Sequence, residues 1–234
     1  MSPEAPQAGY PKWDYQEYPK SLARDDFWGQ VRRTVMGERI SEAQVGALVE
    51  HVGRLLRLRP GDILLDLGCG NGALTARLFD FCSGYAGVDA SAYLIGIAHE
   101  FFERPPTHLF FEDDVTSFVH GVGEPERFTK GLCYALLQYL SVSTVEQLLE
   151  TLFARFSNLE RLVIGNLPNR DRAGSFFKDG GSQDLDEPQS QIGRWWSKAE
   201  FEALASGIGW KVELSQMEPH LFNATYRFDA TLTR

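Results

Sequence analysis

The stretch Asp66-Leu67-Gly68-Cys69-Gly70-Asn71-Gly72 puts three glycines and one acid into seven residues. Glycine has no Cβ, so its backbone reaches left-handed conformations and comes close to a ligand. The run Ile63-Leu64-Leu65 ahead of it reads as a short buried strand, and Ala73–Phe81 behind it as a helix. Strand, glycine turn and helix together present unpaired backbone N–H groups to a ligand. Gly68, Gly70 and Ala73 satisfy the G-x-G-x-x-G/A spacing of dinucleotide sites. Asp89 lies about 20 residues further on, where an acid bonds ribose hydroxyls. Asp66 and Gly72 are additional to that pattern.

Several elements must hold this turn in place. Ser41 with Gln44 fits a capping box for a helix whose apolar face is Val45, Leu48, Val49, Val52, Leu55 and Leu56. From residue 62 short apolar runs alternate with amphipathic stretches. Strands are expected at 63–65, 85–88, 109–111, 131–134 and 162–164, and helices at 73–81 and 92–102. A short irregular segment follows the third strand, and a helix capped by Ser143 and Glu146 precedes the fifth. A last helix, capped by Ser197 and Glu200, runs to about Ser206. Two final strands, Lys211–Leu214 and Thr225–Leu232, are expected to pair antiparallel at an edge. The fold class is α/β: a Rossmann-like, doubly wound, mostly parallel sheet with an antiparallel edge and helices on both faces.

With those elements assigned, the motifs resemble, in order, those of class I S-adenosylmethionine-dependent methyltransferases. The acid-x-G-x-G-x-G string from Asp66 through Gly68, Cys69, Gly70 and Gly72 is similar to that family's first motif. Gly87-Val88-Asp89-Ala90-Ser91 with Leu94 is similar to the second, in which the acid holds both ribose hydroxyls and an apolar residue packs on adenine. Phe111-Glu112-Asp113-Asp114-Val115 is similar to the third, whose acid accepts the adenine amino group; alignment favours Asp114 over Asp113. Leu132–Leu140, with Tyr134, is similar to the fourth, although Gln138-Tyr139 stands where the family often has Glu-His. The resemblance covers about residues 60–165. It implies S-adenosyl-L-methionine as cofactor, S-adenosyl-L-homocysteine as product, and methyl transfer to an acceptor.

Composition narrows the acceptor and the setting. The chain has 234 residues and a formal charge of −9, which disfavours a phosphate-binding surface and leaves nucleic acid out as partner. Asn166-Leu167-Pro168-Asn169 resembles the N-P-P-Y signature of enzymes that methylate nucleic-acid amino groups, but it lacks the aromatic and follows the fifth strand rather than the fourth. No apolar run approaches the roughly 18 residues of a membrane span. Cys69, Cys82 and Cys133 form no C-x-x-C pair, so no metal or disulfide framework is expected, and the default setting is the cytoplasm. A monomer or homodimer is expected.

Residues 1–40 combine Tyr10, Trp13, Tyr15, Tyr18, Phe27 and Trp28 with four prolines and read as an arm or lid. Residues 41–234 read as one domain, with 166–196 as an insertion that builds the acceptor pocket. Trp13, Tyr15, Asn166 and Trp195 are its candidate lining, and aromatic walls suit a small molecule. An oxygen acceptor needs its proton removed. Of five histidines, His51 reads as solvated on the polar side of the first helix. His99 and His108 lie away from the carboxyl ends of the strands, and His120 falls in a connection. His220 and Tyr139 remain as acid/base candidates. The expected function is O-methylation of a sugar or secondary-metabolite intermediate. The alternatives are a non-catalytic binder of the same cofactor and an NAD-dependent oxidoreductase. A thermal-shift assay separates the last: S-adenosylhomocysteine should raise the melting temperature and NAD should not. The reverse result would restore the dinucleotide reading.

Overall fold

Five strands of near-continuous apolar residues pair in parallel, as expected for a sheet buried on both faces. The computed structural model describes residues 13–35, 38–177, 184–190 and 192–234. In chain order the elements are α1 (Phe27–Gln30), β1 (Thr34–Val35), β2 (Glu38–Arg39), α2 (Glu42–Leu56), β3 (Ile63–Leu67), β4 (Gly84–Asp89) and α3 (Ala92–Phe101). There follow β5 (His108–Glu112), α4 (Val115–Gly121), β6 (Lys130–Tyr134), α5 (Val142–Arg155), β7 (Arg161–Pro168), α6 (Ala173–Phe176), α7 (Lys198–Ile208), β8 (Lys211–Gln216) and β9 (Arg227–Thr233). Strands β1 and β2 form a separate two-stranded hairpin.

The main sheet has the order β5-β4-β3-β6-β7-β9-β8. The strands β5, β4, β3, β6 and β7 are parallel, and β9 runs antiparallel between β7 and β8. One face packs Val45, Leu48 and Val52 of α2 and Ile95 and Ala98 of α3. The other packs Val115 and Phe118 of α4, Leu148 and Leu152 of α5, and Phe201 of α7. The chain leaves β3 toward β4 on one side and returns to β6 on the other. That reversal opens a crevice at the carboxyl ends of β3 and β6, where open α/β sheets bind ligands.

Four local expectations are corrected. Residues 75–81 form a 3-10 segment rather than an α-helix from residue 73; little chain separates the glycine turn from β4. The segment after β5 is helical: the Asp114 side chain accepts from Thr116 N–H and Ser117 N–H and caps α4, while Val115, Phe118 and Val119 supply its buried face. Ser141, not Ser143, caps α5. The stretch after residue 166 continues β7 to Pro168, and its described return is tied down by backbone bonds. Trp196 N–H donates to Pro168 O, Arg194 N–H to Gln138 O, and Trp195 N–H to Leu185 O.

A fifth correction concerns His51. It is buried, with Nε2 2.7 Å from Oδ2 of the fully buried Asp229. The helix face carrying His51 packs on β7, and Asp229 enters from β9 beside it. The other oxygen of Asp229 accepts from Asn166 N–H at 2.8 Å. Asn166 has φ +64°, and the β7–β9 register shifts between Ile164 and Leu167. The carboxylate therefore satisfies a backbone donor that the bulge removes from the ladder. Asp229→Ala strands both that donor and the imidazole, and should lower unfolding free energy by about 3 kcal/mol. Chemical denaturation checks this, and a loss below about 1 kcal/mol would show that the bulge holds without the brace.

Candidate functional site

The glycine turn sits where β3 ends. Gly68, Gly70 and Gly72 have φ of +76°, +58° and +75°, the left-handed region that only glycine enters freely. A Cβ on Gly72 would stand 2.6 Å from the Phe110 ring. Gly68 N–H and Cys69 N–H donate to Val88 O at 2.8 and 3.1 Å. Gly70 N–H donates to one oxygen of Asp89 at 2.9 Å, and Ser91 N–H to the other at 2.9 Å. Asp89 thus ties the turn to the end of β4. Burial raises its carboxyl pKa, and it raises the Cys69 thiol further.

Asp66 lies beneath the turn, buried in β3, and accepts from the Tyr85 hydroxyl at 3.0 Å. Burial pushes its carboxyl up to about 7, against the opposing bonds from Thr75 and Tyr85; nearby Asp89 adds to the rise. Around the same edge, Ala90 and Asp113 are exposed, and Leu94 and Val115 are buried. Asp113 N–H donates to Asp89 O at 3.1 Å, which places it beside the end of β4. Asp114, preferred by alignment, has Oδ1 occupied by the cap of α4. Despite some burial, those bonds hold its carboxyl below the usual range. Tyr134, at the end of β6, is buried with its ring against Gly165.

The segment before α2 reaches into this site. Asn71, buried inside the turn, donates to Phe27 O at 2.8 Å and to the Gln30 side chain at 2.9 Å. Fully buried Gln30 in turn donates to Ala23 O and Arg24 O. Ser91 Oγ donates to Tyr15 O at 2.6 Å. Tyr15 and Tyr139 hydroxyls are 3.3 Å apart, with the rings edge to face. Arg33 lies over the Tyr134 ring, 5.0 Å from its centroid. Sequence reasoning missed Asn71, Gln30 and Arg33. The Asn71–Gln30 pair spans 41 residues, and no local pattern signals it. Asn71 lay inside the quoted motif, where its amide was the one available signal.

On the far side of the crevice Asn166 is buried, its carbonyl accepting from Arg227 at 2.6 Å and its side chain from Asn223 at 3.2 Å. Trp195, expected to line a pocket, is fully buried against Phe177 and Tyr226, with Phe176 at the outer edge. Trp196 is fully buried too; adjacent side chains point to opposite sides and both find a core. His220 lies on the β8–β9 connection, exposed, 3.5 Å from Glu218, and its carbonyl accepts from Gln44. The expectation for the Trp13 side chain falls outside the described residues. His99 is exposed beside Glu103, His108 is buried under Phe79, and His120 is exposed on α4. Among the described residues no three His, Cys, Asp or Glu side chains group as metal ligands.

A doubly wound sheet with a glycine turn and an acid on the neighbouring strand defines a nucleoside-cofactor domain. Residues 64–156 match a family model described as a methyltransferase domain. Comparison with curated protein sequences gives no match. Solved structures share the fold. Magnesium protoporphyrin IX methyltransferase from Synechocystis PCC 6803, with bound S-adenosylhomocysteine, is 18% identical with a TM-score of 0.61; the alignment covers 92% of this chain and 99% of that one. The methyltransferase domain of bacterial CtHen1 is 16% identical with a TM-score of 0.60, over 82% of this chain and 100% of that one. A TehB-like methyltransferase from Corynebacterium glutamicum is 17% identical with a TM-score of 0.56, over 80% and 87%. Residues 64–156 therefore match a methyltransferase domain, and the chain shares the fold of solved methyltransferases.

The buried Asp66 carboxyl makes stability depend on pH. Its folded pKa, about 7, lies above the unfolded value near 3.8. Its contribution is therefore fully present below about pH 4 and is lost as pH rises through 7. Asp66→Asn removes the ionisation. Relative to the wild type, the variant should gain up to roughly 1.4 kcal/mol per pH unit between about pH 4 and 7. Denaturation of both proteins across that range measures the difference, and parallel curves would show that Asp66 ionises normally.

Proposed function

We propose that the domain methylates a hydroxyl group of a small molecule, such as a sugar or secondary-metabolite intermediate, in the cytoplasm. The observation that carries this reading is the contact between Tyr15 and Tyr139 across the crevice. It brings the N-terminal arm over the ends of β3, β4 and β6 and favours an acceptor small enough to sit beneath it. The formal charge of −9 disfavours a polyanionic acceptor, and among the described residues no helix is long and apolar enough to cross a membrane.

The residues present fit S-adenosylmethionine. Gly68, Gly70 and Gly72 leave a bare, left-handed turn that side chains could not take, since a Cβ there would meet Leu136, Val31 or Phe110. Asp89 holds the ribose hydroxyls, since each carboxylate oxygen keeps a lone pair beyond its backbone bond. Ala90, Leu94 and Val115 border the adenine, and Asp113, free of the cap that engages Asp114, accepts its amino group. Asp66, Cys69 and Tyr134 border the amino-acid end. Bound there, the cofactor supplies a methyl group on a sulfonium, a good leaving group. The protein then has to align the acceptor and exclude water. Asn166 and the aromatic wall backed by Trp195 orient the acceptor, and Tyr139, paired with Tyr15, relays its proton, accepting the acceptor's proton on the phenol oxygen as its own hydroxyl proton passes to water, ahead of the exposed His220.

Incubation of cell extract with methyl-labelled cofactor should place the label in a low-mass, protease- and ribonuclease-resistant fraction. Label recovered in RNA or protein would overturn the reading. With that acceptor, Tyr139→Phe should lower kcat by about tenfold to a hundredfold with cofactor affinity unchanged, and His220→Ala should leave kcat within about twofold. The opposite ranking would give the proton transfer to His220.

A further inference from the structure

After β6 the chain makes a short 3-10 turn, Leu137–Tyr139, along the crevice. The turn is fixed from two directions. A Cβ on Gly68 would stand 3.0 Å from Leu136, so the residue ahead of it lies against the glycine turn. On the other side, the return of the chain before α7 closes on Gln138. Arg194 N–H donates to Gln138 O at 2.7 Å. Gly193 has φ +79°, and a Cβ there would stand 2.4 Å from that carbonyl oxygen and 2.9 Å from Gln138 Cγ. Gln138 is thus held between the glycine turn and the return, one residue before Tyr139.

The fold does not use its carboxamide. Gln138 is 2% exposed, yet its Oε1 is buried without a partner, and its amide nitrogen makes no hydrogen bond among the described residues. Other well-placed glutamines do the opposite. Gln30 spends its amide on Ala23 O, Arg24 O and Asn71, and Gln216 donates to Ala224 O and Arg227 O. A buried amide left unpaired destabilises the protein relative to an apolar side chain of the same shape.

The chemistry of the amide specifies what it can take. Its oxygen accepts and its nitrogen donates, so it matches a group that does both, and a hydroxyl is the smallest. A charged group does not match. The cations of the adjoining return, Arg170 and Arg194, are both engaged by Asp186, and Arg194 also by Glu200. A buried charge beside a neutral amide would lack a counter-ion. Tyr139 is assigned to the hydroxyl that reacts, so Gln138 meets a different one.

We propose that Gln138 is a specificity residue that hydrogen-bonds a second, uncharged hydroxyl of the acceptor, which makes the acceptor a molecule with at least two hydroxyls. This rests on the proposed small-molecule reading and narrows it. Gln138 takes no part in the proton transfer; it selects and orients, and the free protein is less stable for keeping its amide ready.

Gln138→Met keeps the shape, removes the amide and tests this on the full chain. With no bond to lose, the variant should melt about 2–4 °C above the wild type, the shift expected for a chain of this size when a desolvation penalty of hydrogen-bond scale is relieved. Its calorimetric affinity for S-adenosylhomocysteine should stay within about twofold, because the cofactor does not reach the amide. The acceptor is supplied as the low-mass fraction of cell extract, serially diluted with methyl-labelled cofactor. The variant should need about tenfold more of that fraction for half-maximal labelling, with the maximal rate within about threefold. The labelled product should still take up at least one base-labile acetyl group on acetylation, the mark of a free hydroxyl. A variant that melts no higher than the wild type overturns the assignment, because the amide would then support the fold. Half-maximal labelling at an unchanged dilution overturns it too, as does a labelled product without a free hydroxyl. A wild type that labels nothing of low mass refutes the small-molecule reading itself rather than Gln138 alone.

Discussion

One carboxylate holds the site in register. Asp89 accepts a backbone N–H from Gly70 with one oxygen and from Ser91 with the other. The first bond pins a turn with three left-handed glycines, whose backbone is otherwise the least constrained in the chain. The second pins the start of α3. Because the residue sits at the end of β4, it joins two crossovers at the reversal point of the sheet. A carboxylate has about four acceptor positions, so this brace leaves capacity for a ligand. Burial works against it by raising the pKa of Asp89, and the two backbone bonds oppose that rise. The turn is thus preorganised by an interaction made in the free protein.

The other wall rests on a second buried carboxylate. Asp229 joins α2, through His51, to the bulge in β7, through Asn166 N–H. The bulge turns the Asn166 carbonyl toward Arg227 and its side chain toward Asn223, whose own amide oxygen accepts from Tyr226. Tyr226 then packs on Trp195. A strand irregularity two residues long, Gly165 and Asn166 opposite Asp229, therefore helps position the aromatic wall. The wall follows β9, so it inherits the rigidity of the longest-range pairing in the sheet.

What the sequence reveals divides along the same line. The five parallel strands and the glycine turn were legible because each depends on a contiguous run: an apolar segment, a cap, or glycines at fixed spacing. Asp89 was legible for the same reason, since its distance from the turn is set by one crossover. His51 was misread because its helix face looks polar in sequence, and the partner that makes burial tolerable lies on the last strand. Asn71, Gln30 and Arg33 were invisible for a related reason. Each acquires its place from a partner far along the chain, and a single Asn, Gln or Arg carries no pattern. The helix after β5 was missed although its Asp114 cap is local, because the cap had been read only as a ligand group.

That double reading of Asp114 bears on how the two halves of the site are linked. A residue used as a cap holds its backbone whether or not a ligand is present, so the cofactor side stays formed through Asp89, Asp114 and the sheet. The arm is different. Its contacts with the turn and crevice include the Asn71 amide, Val31 beside Gly70, Arg33 over the Tyr134 ring and Tyr15 edge to face with Tyr139. Polar side-chain contacts of this kind separate at lower free energy than a packed sheet. Yet Trp28 and Ile40 anchor the arm in the same core as α2 and α3. Any opening is therefore confined to the part of the arm ahead of Trp28, around the Tyr15 contact, while the residues from Trp28 onward stay fixed. An arm hinged in this way can admit a ligand at the turn without exposing the core, which a freely detaching tail could not do.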